Sequence, residues 1–160
     1  MAPAKQDQEI TVHIAGNFKE IEVRLPELRK LVKAICKRFK LSKAMVSIAI
    51  VDDARIRKLN SRFLNRKSTT DCLSFDLSDS KGPKSPKLFE LIVNGEMAVR
   101  QANMRRHSSK AELALYITHG LLHNFGFDDS TENQARKMHD TEDKILQQLG
   151  YGLVYNTNSR

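Results

Sequence analysis

The 160-residue sequence predicts an α+β fold, a small β-sheet packed around a central helix. Three observations carry that prediction. Short β-branched runs alternate apolar and polar side chains, as half-buried strands do. A stretch beginning at Pro26 repeats its apolar residues at helical spacing. A segment opening near Ser109 is apolar over most of a helical circumference, which suits a helix at the buried centre of a fold.

Taken in order, ITVHI at 10–14 reads as a half-buried strand, followed by a turn at Gly16 and Asn17. From Pro26 to Lys40 the positions Leu28, Leu31, Val32, Ile35 and Phe39 form one face of an amphipathic helix, with Pro26 in its first turn. The opposite face carries Arg29, Lys33, Lys37 and Lys40, a basic stripe that serves either as a solvated surface or as an RNA contact. VSIAIVD at 46–52 has the composition of a central strand, and Asp52 or Asp53 caps the next helix, which turns Ile56, Leu59 and Phe63 inward. Residues 65–70 are polar and basic and read as an exposed loop. CLSFDL is a strand, residues 78–87 a flexible surface loop, and FELIVNGEMAV a strand running into a short helix near Glu96.

Ser109 and Glu112 have the spacing of a capping box and open the helix bearing Leu113, Tyr116, Ile117, Leu121 and Leu122. Thr131 and Gln134 repeat that signal for a last helix through Ala135, Met138, Ile145 and Leu149 to Gly150. The chain is expected to form one domain over 1–160, with residues 1–9 and 156–160 disordered.

Composition narrows the function classes. With 40% hydrophobic and 29% charged residues the chain is globular, and no run reaches the roughly 20 apolar residues of a membrane span. Lys and Arg number 27 against 19 Asp and Glu, giving +8 and a pI near 9.6, a balance that favours a polyanionic partner such as RNA. Two cysteines, Cys36 and Cys72, sit in apolar patterns and read as reduced core residues of a cytoplasmic protein.

The run HGLLHNFGFDD carries the chemistry. His119 and His123 are one helical turn apart on the same face, so both imidazoles can bind one cation. Gly126 lets the chain leave the helix and return Asp129 to the same point. Two imidazoles and one carboxylate suit zinc first, with nickel and iron as alternatives, and three protein ligands leave a fourth position open, as catalytic zinc sites do. His13, His107 and His139 lack such a setting and read as surface or structural residues. The spacing is also similar to the zinc-peptidase motif HExxHxxGxxH, but Gly120 stands where that motif has its glutamate base.

HGLLHNFGFDD, TTDCLSF at 69–75, Leu59 with Asn60, and a last helix bearing Met138, Glu142 and a terminal Leu149–Gly150–Tyr151 together resemble the bacterial YbeY family of rRNA maturation factors. Members carry HGxLHxxGYDH, a TDVLSF-type strand, and a Met, a Glu and LGY at the end; the resemblance runs from about residue 44 to 151. It implies a small mixed sheet around a metal-bearing helix, in a zincin-like arrangement. It further implies a zinc-dependent, single-strand-specific endoribonuclease, with one Zn(2+) per chain. Such an enzyme acts in small-subunit rRNA maturation and ribosome quality control, beside ribosomal proteins. The metal ligands carried over are His119, His123 and Asp129. Asp129 stands where the family has a histidine, while Asp128 matches the family's own aspartate and is not the expected ligand.

The family also places a phosphate-binding arginine after an aromatic residue in the preceding helix; here Phe63 is followed by Leu64, so Arg62 and Arg66 are the candidates for that catalytic role. Asp71 and Ser74 are placed to border the cleft. Glu142, on the apolar side of the last helix, needs an arginine or the outer nitrogen of a zinc-binding histidine as partner, unless it is exposed at the edge of the stripe. Two other functions fit the sequence: a non-catalytic ribosome-associated RNA-binding factor whose metal only holds the fold, and a zinc peptidase.

Overall fold

The computed structural model describes residues 8–16, 18–79, 82 and 85–152. Its elements are β1 (Glu9–Ala15), α1 (Leu25–Arg38), β2 (Lys43–Val51), α2 (Asp53–Leu64), β3 (Cys72–Asp76), β4 (Lys87–Asn94), α3 (Gly95–Arg105), α4 (Ser109–Asn124) and α5 (Glu132–Gln148). The tail from 156 lies outside the described residues, as do Asn17 and 80, 81, 83 and 84 of the expected loop. Glu9, expected in a disordered end, instead opens β1, where its N–H donates to Ser42 O at 2.7 Å.

The sheet has four strands in the order β1-β2-β4-β3, the first three parallel and β3 antiparallel on the edge. It is therefore mixed. Alternation along β2 sends Ala44, Val46, Ile48 and Ile50 to one face, where they join Phe89, Leu91 and Val93 of β4 and the buried sides of α1, α4 and α5 in the main core. A smaller cluster of Ile56, Leu73 and Ile92 packs α2 on the other face.

Helix α4 lies deepest, with every residue from Ala111 to Thr118 buried and then Gly120, Leu121 and Leu122. Burial around a whole circumference holds the end of this helix rigidly against β3 and α5, and that end carries the two histidines. Gly120 is small by necessity: a Cβ there stands 2.7 Å from Cys72 Sγ and 2.9 Å from Leu91 Cδ2.

Several local expectations are corrected. α1 stops at Arg38, not Lys40, because Lys40 takes a left-handed φ of 59° and Leu41 N–H closes onto Cys36 O. In α2 Ile56 is buried and Leu59 partly buried, as expected, and Asn60 is buried with them, while Phe63 is 56% exposed and meets Phe75 edge-on. The α4 cap is Ser108, whose hydroxyl accepts from Ala111 N at 3.1 Å. Glu112 reaches no cap; it is fully buried and paired with Arg105 and His107, so His107 is a partner to a buried carboxylate. The helix near Glu96 runs to Arg105 and is capped by Asn94. Thr131 and Gln134 do form a capping box. Both cysteines are free; burial pushes the Cys36 thiol up to about 12 and that of Cys72 well up.

Candidate metal centre

The chain leaves α4 through a turn that only a few residues can make. Gly126 has φ +95°, its N–H donates to His123 O, and Phe127 N–H reaches back to Leu122 O at 2.9 Å, so the last carbonyls of the helix are satisfied. Phe125 stacks on Phe39 at 4.7 Å and Phe127 meets the same ring edge-on, anchoring the turn to α1. Asp128 then ties the loop together by accepting from Asp129 N, Ser130 N and Ser130 Oγ, bonds that hold its carboxyl below the usual carboxylate range. Asp129 is thereby turned back toward the helix.

His119 Nε2 and His123 Nε2 lie 3.1 Å apart, and Asp129 Oδ2 is 3.6 Å from the first and 3.8 Å from the second. Ligands at zinc bond lengths on a tetrahedron are separated by about 3.4 Å. The protonation of the rings fits as well. Phe127 O can only accept, so the Nδ1 of His123, 3.0 Å away, carries that ring's proton; His119 Nδ1 donates to Glu142 Oε2 at 2.8 Å. Two unprotonated Nε2 atoms therefore lie 3.1 Å apart, an arrangement that a cation between them stabilises. A proton can take that place, since His119, although burial pushes its pKa down, is held above the ordinary value by Glu142, Asp71 and Asp129. The same three groups, His119, His123 and Asp129, lie close enough together to hold a divalent metal.

Glu142 is fully buried on α5, and its second oxygen accepts from His139 Nδ1 at 2.6 Å. Burial pushes this carboxyl up, but the two imidazoles prevail and hold it below its usual value. His139 is no isolated surface residue: its ring lies nearly parallel to His119 at 6.2 Å, and His119, His139 and Glu142 form a second group close enough to hold an ion. The spacing of His139 and Glu142 places them on one helix face, which is the signal that could have found the pair.

These groups open into a cleft of about 590 Å³ whose wall includes Asn60, Leu64, Arg66, Asp71, Cys72 and His139. Arg66 follows the left-handed Asn65 that ends α2, and so enters the cleft wall from the loop. Arg62 is not part of that wall; its guanidinium sits 5.6 Å from the centre of the Phe63 ring. Asp71 lines the cleft and Ser74 does not. Among the described residues, no helix is long and apolar enough to cross a membrane.

The family model described as Endoribonuclease YbeY matches residues 13–150. Among curated proteins, an Endoribonuclease YbeY of Myxococcus xanthus is 31% identical over 92% of this chain, which spans only 50% of that protein's length. One from Anaeromyxobacter is 32% identical, with 88% of this chain and 73% of the relative covered. One from Carboxydothermus hydrogenoformans is 39% identical, covering 66% of this chain and 73% of its own. The solution structure of TM1509 from Thermotoga maritima superposes with a TM-score of 0.57 at 22% identity, covering 87% of this chain and 89% of the other, and shares the fold.

Proposed function

The chain belongs to the YbeY family of endoribonucleases, and from that premise we propose that it is a zinc-dependent, single-strand-specific endoribonuclease acting in small-subunit rRNA maturation and ribosome quality control. The observation that carries this reading is the convergence of His119 Nε2, His123 Nε2 and Asp129 Oδ2 in a cleft that also holds Arg66. In this reading residues 1–160 are one domain with α4 as its metal-bearing centre, working in the cytoplasm beside ribosomal proteins.

His119, His123 and Asp129 hold one zinc ion, which when bound supplies a Lewis acid able to acidify water and polarise a phosphoryl oxygen. Glu142 and Phe127 O fix the tautomers that present Nε2 on both histidines. Arg66 offers a planar fork to the phosphate and stabilises charge gathering on phosphorus. His139, tied to Glu142 through Nδ1, is a cleft imidazole able to pass a proton, a task Gly120 cannot perform. The +8 charge draws single strands in by counterion release.

A peptidase is disfavoured by the crowding at Gly120, which leaves no room for a glutamate. Leu64, which places an apolar side chain in the cleft wall, favours a non-catalytic RNA-binding factor as the second reading. Incubating the zinc-loaded chain with a single-stranded rRNA fragment separates them. Cleavage that stops on chelation, and falls to background in His123→Ala, is the expected result. RNA binding without metal-dependent cleavage by the native chain rejects the enzyme.

A further inference from the structure

A second cavity, of about 320 Å³, adjoins the metal cleft and shares Thr70, Asp71, His119 and His139 with it. Beyond that shared wall it is lined by Gln101 and Arg105 of α3 and by Tyr116 of α4. Arg105 is the positively charged residue of this lining, and its position is fixed from beneath. Its Nη1 donates to Glu112 Oε1 at 3.3 Å, and Glu112 is fully buried while the arginine side chain keeps 25% exposure. The other Glu112 oxygen is occupied by His107 Nε2. Among the described residues Arg105 forms an ion pair with Glu112 alone, through Nη1, so a guanidinium with five N–H groups retains donors for a ligand.

The acidic groups of the same lining have hydrogen-bond partners of their own. Both oxygens of Glu142 accept from imidazoles, and Asp71 Oδ1 accepts from Cys72 N and Thr70 Oγ1. A long arginine ordinarily gives up rotamer entropy to hold one geometry; here a buried carboxylate has already restricted it. Such a preset, partly exposed guanidinium matches a phosphate oxygen pair.

We propose that this second cavity is a phosphate subsite, in which Arg105, braced by Glu112, grips the phosphodiester of a nucleotide flanking the one seated at His119, His123 and Asp129. The inference rests on the endoribonuclease reading. A strand crossing the shared wall then meets the metal group and Arg66 at one phosphate and Arg105 at the next, so it is held at two neighbouring phosphates.

The test uses the full, zinc-loaded chain and a fluorescent single-stranded RNA oligomer with cleavage-resistant phosphorothioate linkages, titrated by anisotropy over a range of salt. Arg105→Gln is expected to weaken binding about tenfold, the loss of one charge-assisted contact, and to reduce the log–log salt slope by about 0.7. Arg106→Gln removes the same charge from the exposed end of α3 and is expected to stay within about twofold of the native chain. Arg105→Lys preserves a cation for Glu112, guards against a folding defect, and is expected to bind with an intermediate loss because the fork is gone. Equal weakening by Arg105→Gln and Arg106→Gln, or native binding by Arg105→Lys, overturns the subsite. If the native chain cleaves unmodified RNA with zinc while Arg105→Gln binds normally, the subsite alone fails. A native chain that neither binds nor cleaves overturns the enzymatic reading, and the subsite with it.

Discussion

A carboxylate buried as completely as Glu142 is costly unless both oxygens are satisfied, and here the two Nδ1 donors of His119 and His139 do so. Glu142→Gln retains the shape but replaces one acceptor by a donor, so one imidazole loses its partner and its fixed tautomer. Zinc affinity is expected to fall roughly 10- to 100-fold, read by competition with a chromogenic chelator, with little change in secondary structure. Unchanged affinity rejects an orienting role. The convergence of His119, His123 and Asp129 was legible in the sequence because its geometry is local: a helical turn sets His119 against His123, and a glycine with positive φ returns Asp129. Glu142 and His139 were harder to place, since their pairing on α5 is local but their meeting with His119 depends on how α5 packs against α4. Nothing in the spacing of one helix states which face of another it will touch.

Between elements, the ends of α2, β4 and α3 are clasped at Asp53. Its carboxylate accepts from Thr69 Oγ1 and the buried Asn94 amide and pairs with Arg100 at 3.3 Å, while its own N–H donates to Glu96. The Asn94 hydrogen bond, chiefly, with help from Thr69 and Arg100, overcomes partial burial and holds the Asp53 carboxyl below the usual range. A depressed folded pKa means that the stabilisation is complete above the unfolded value, near 4, and disappears as pH falls through the lower folded value. Urea midpoints of the native chain and Asp53→Asn should therefore differ at pH 7 and converge in acid; a constant difference rejects the carboxylate as its source. The strands, the helical stripes of α1 and α5, and Ile56 and Leu59 of α2 followed from periodicity, yet the burial of Asn60 in place of Phe63 did not. Asn60 takes the place beside Ile56 because its amide donates to Ser68 O at 2.8 Å and so holds the loop that carries Arg66. A polar residue with a structural partner looks, in a pattern of apolar positions, like an exposed one.

Across the whole molecule, the question is whether the metal holds the fold or only uses it. The main core gathers side chains from β1, β2, β4, α1, α3, α4 and α5 without drawing on His119, His123 or Asp129. At Asp129 the side chain remains 43% exposed, and the cleft beside it is open, so the group joins the end of α4 to one short loop and not the layers to each other. A structural zinc that determines folding has a different setting, with closed coordination in a domain too small for its own core. The native chain stripped by chelator is therefore expected to keep its helical circular dichroism and a cooperative thermal transition. Returning zinc at about 100 times its dissociation constant adds the linkage term, about 2.7 kcal/mol, and raises the melting temperature accordingly. His123→Ala should melt close to the stripped native chain and show little of the zinc-dependent rise, since its imidazole is partly exposed and makes one hydrogen bond to the turn. Collapse of the stripped chain to a non-cooperative state identifies the metal as a folding element, and with it strengthens the non-catalytic reading over the enzymatic one.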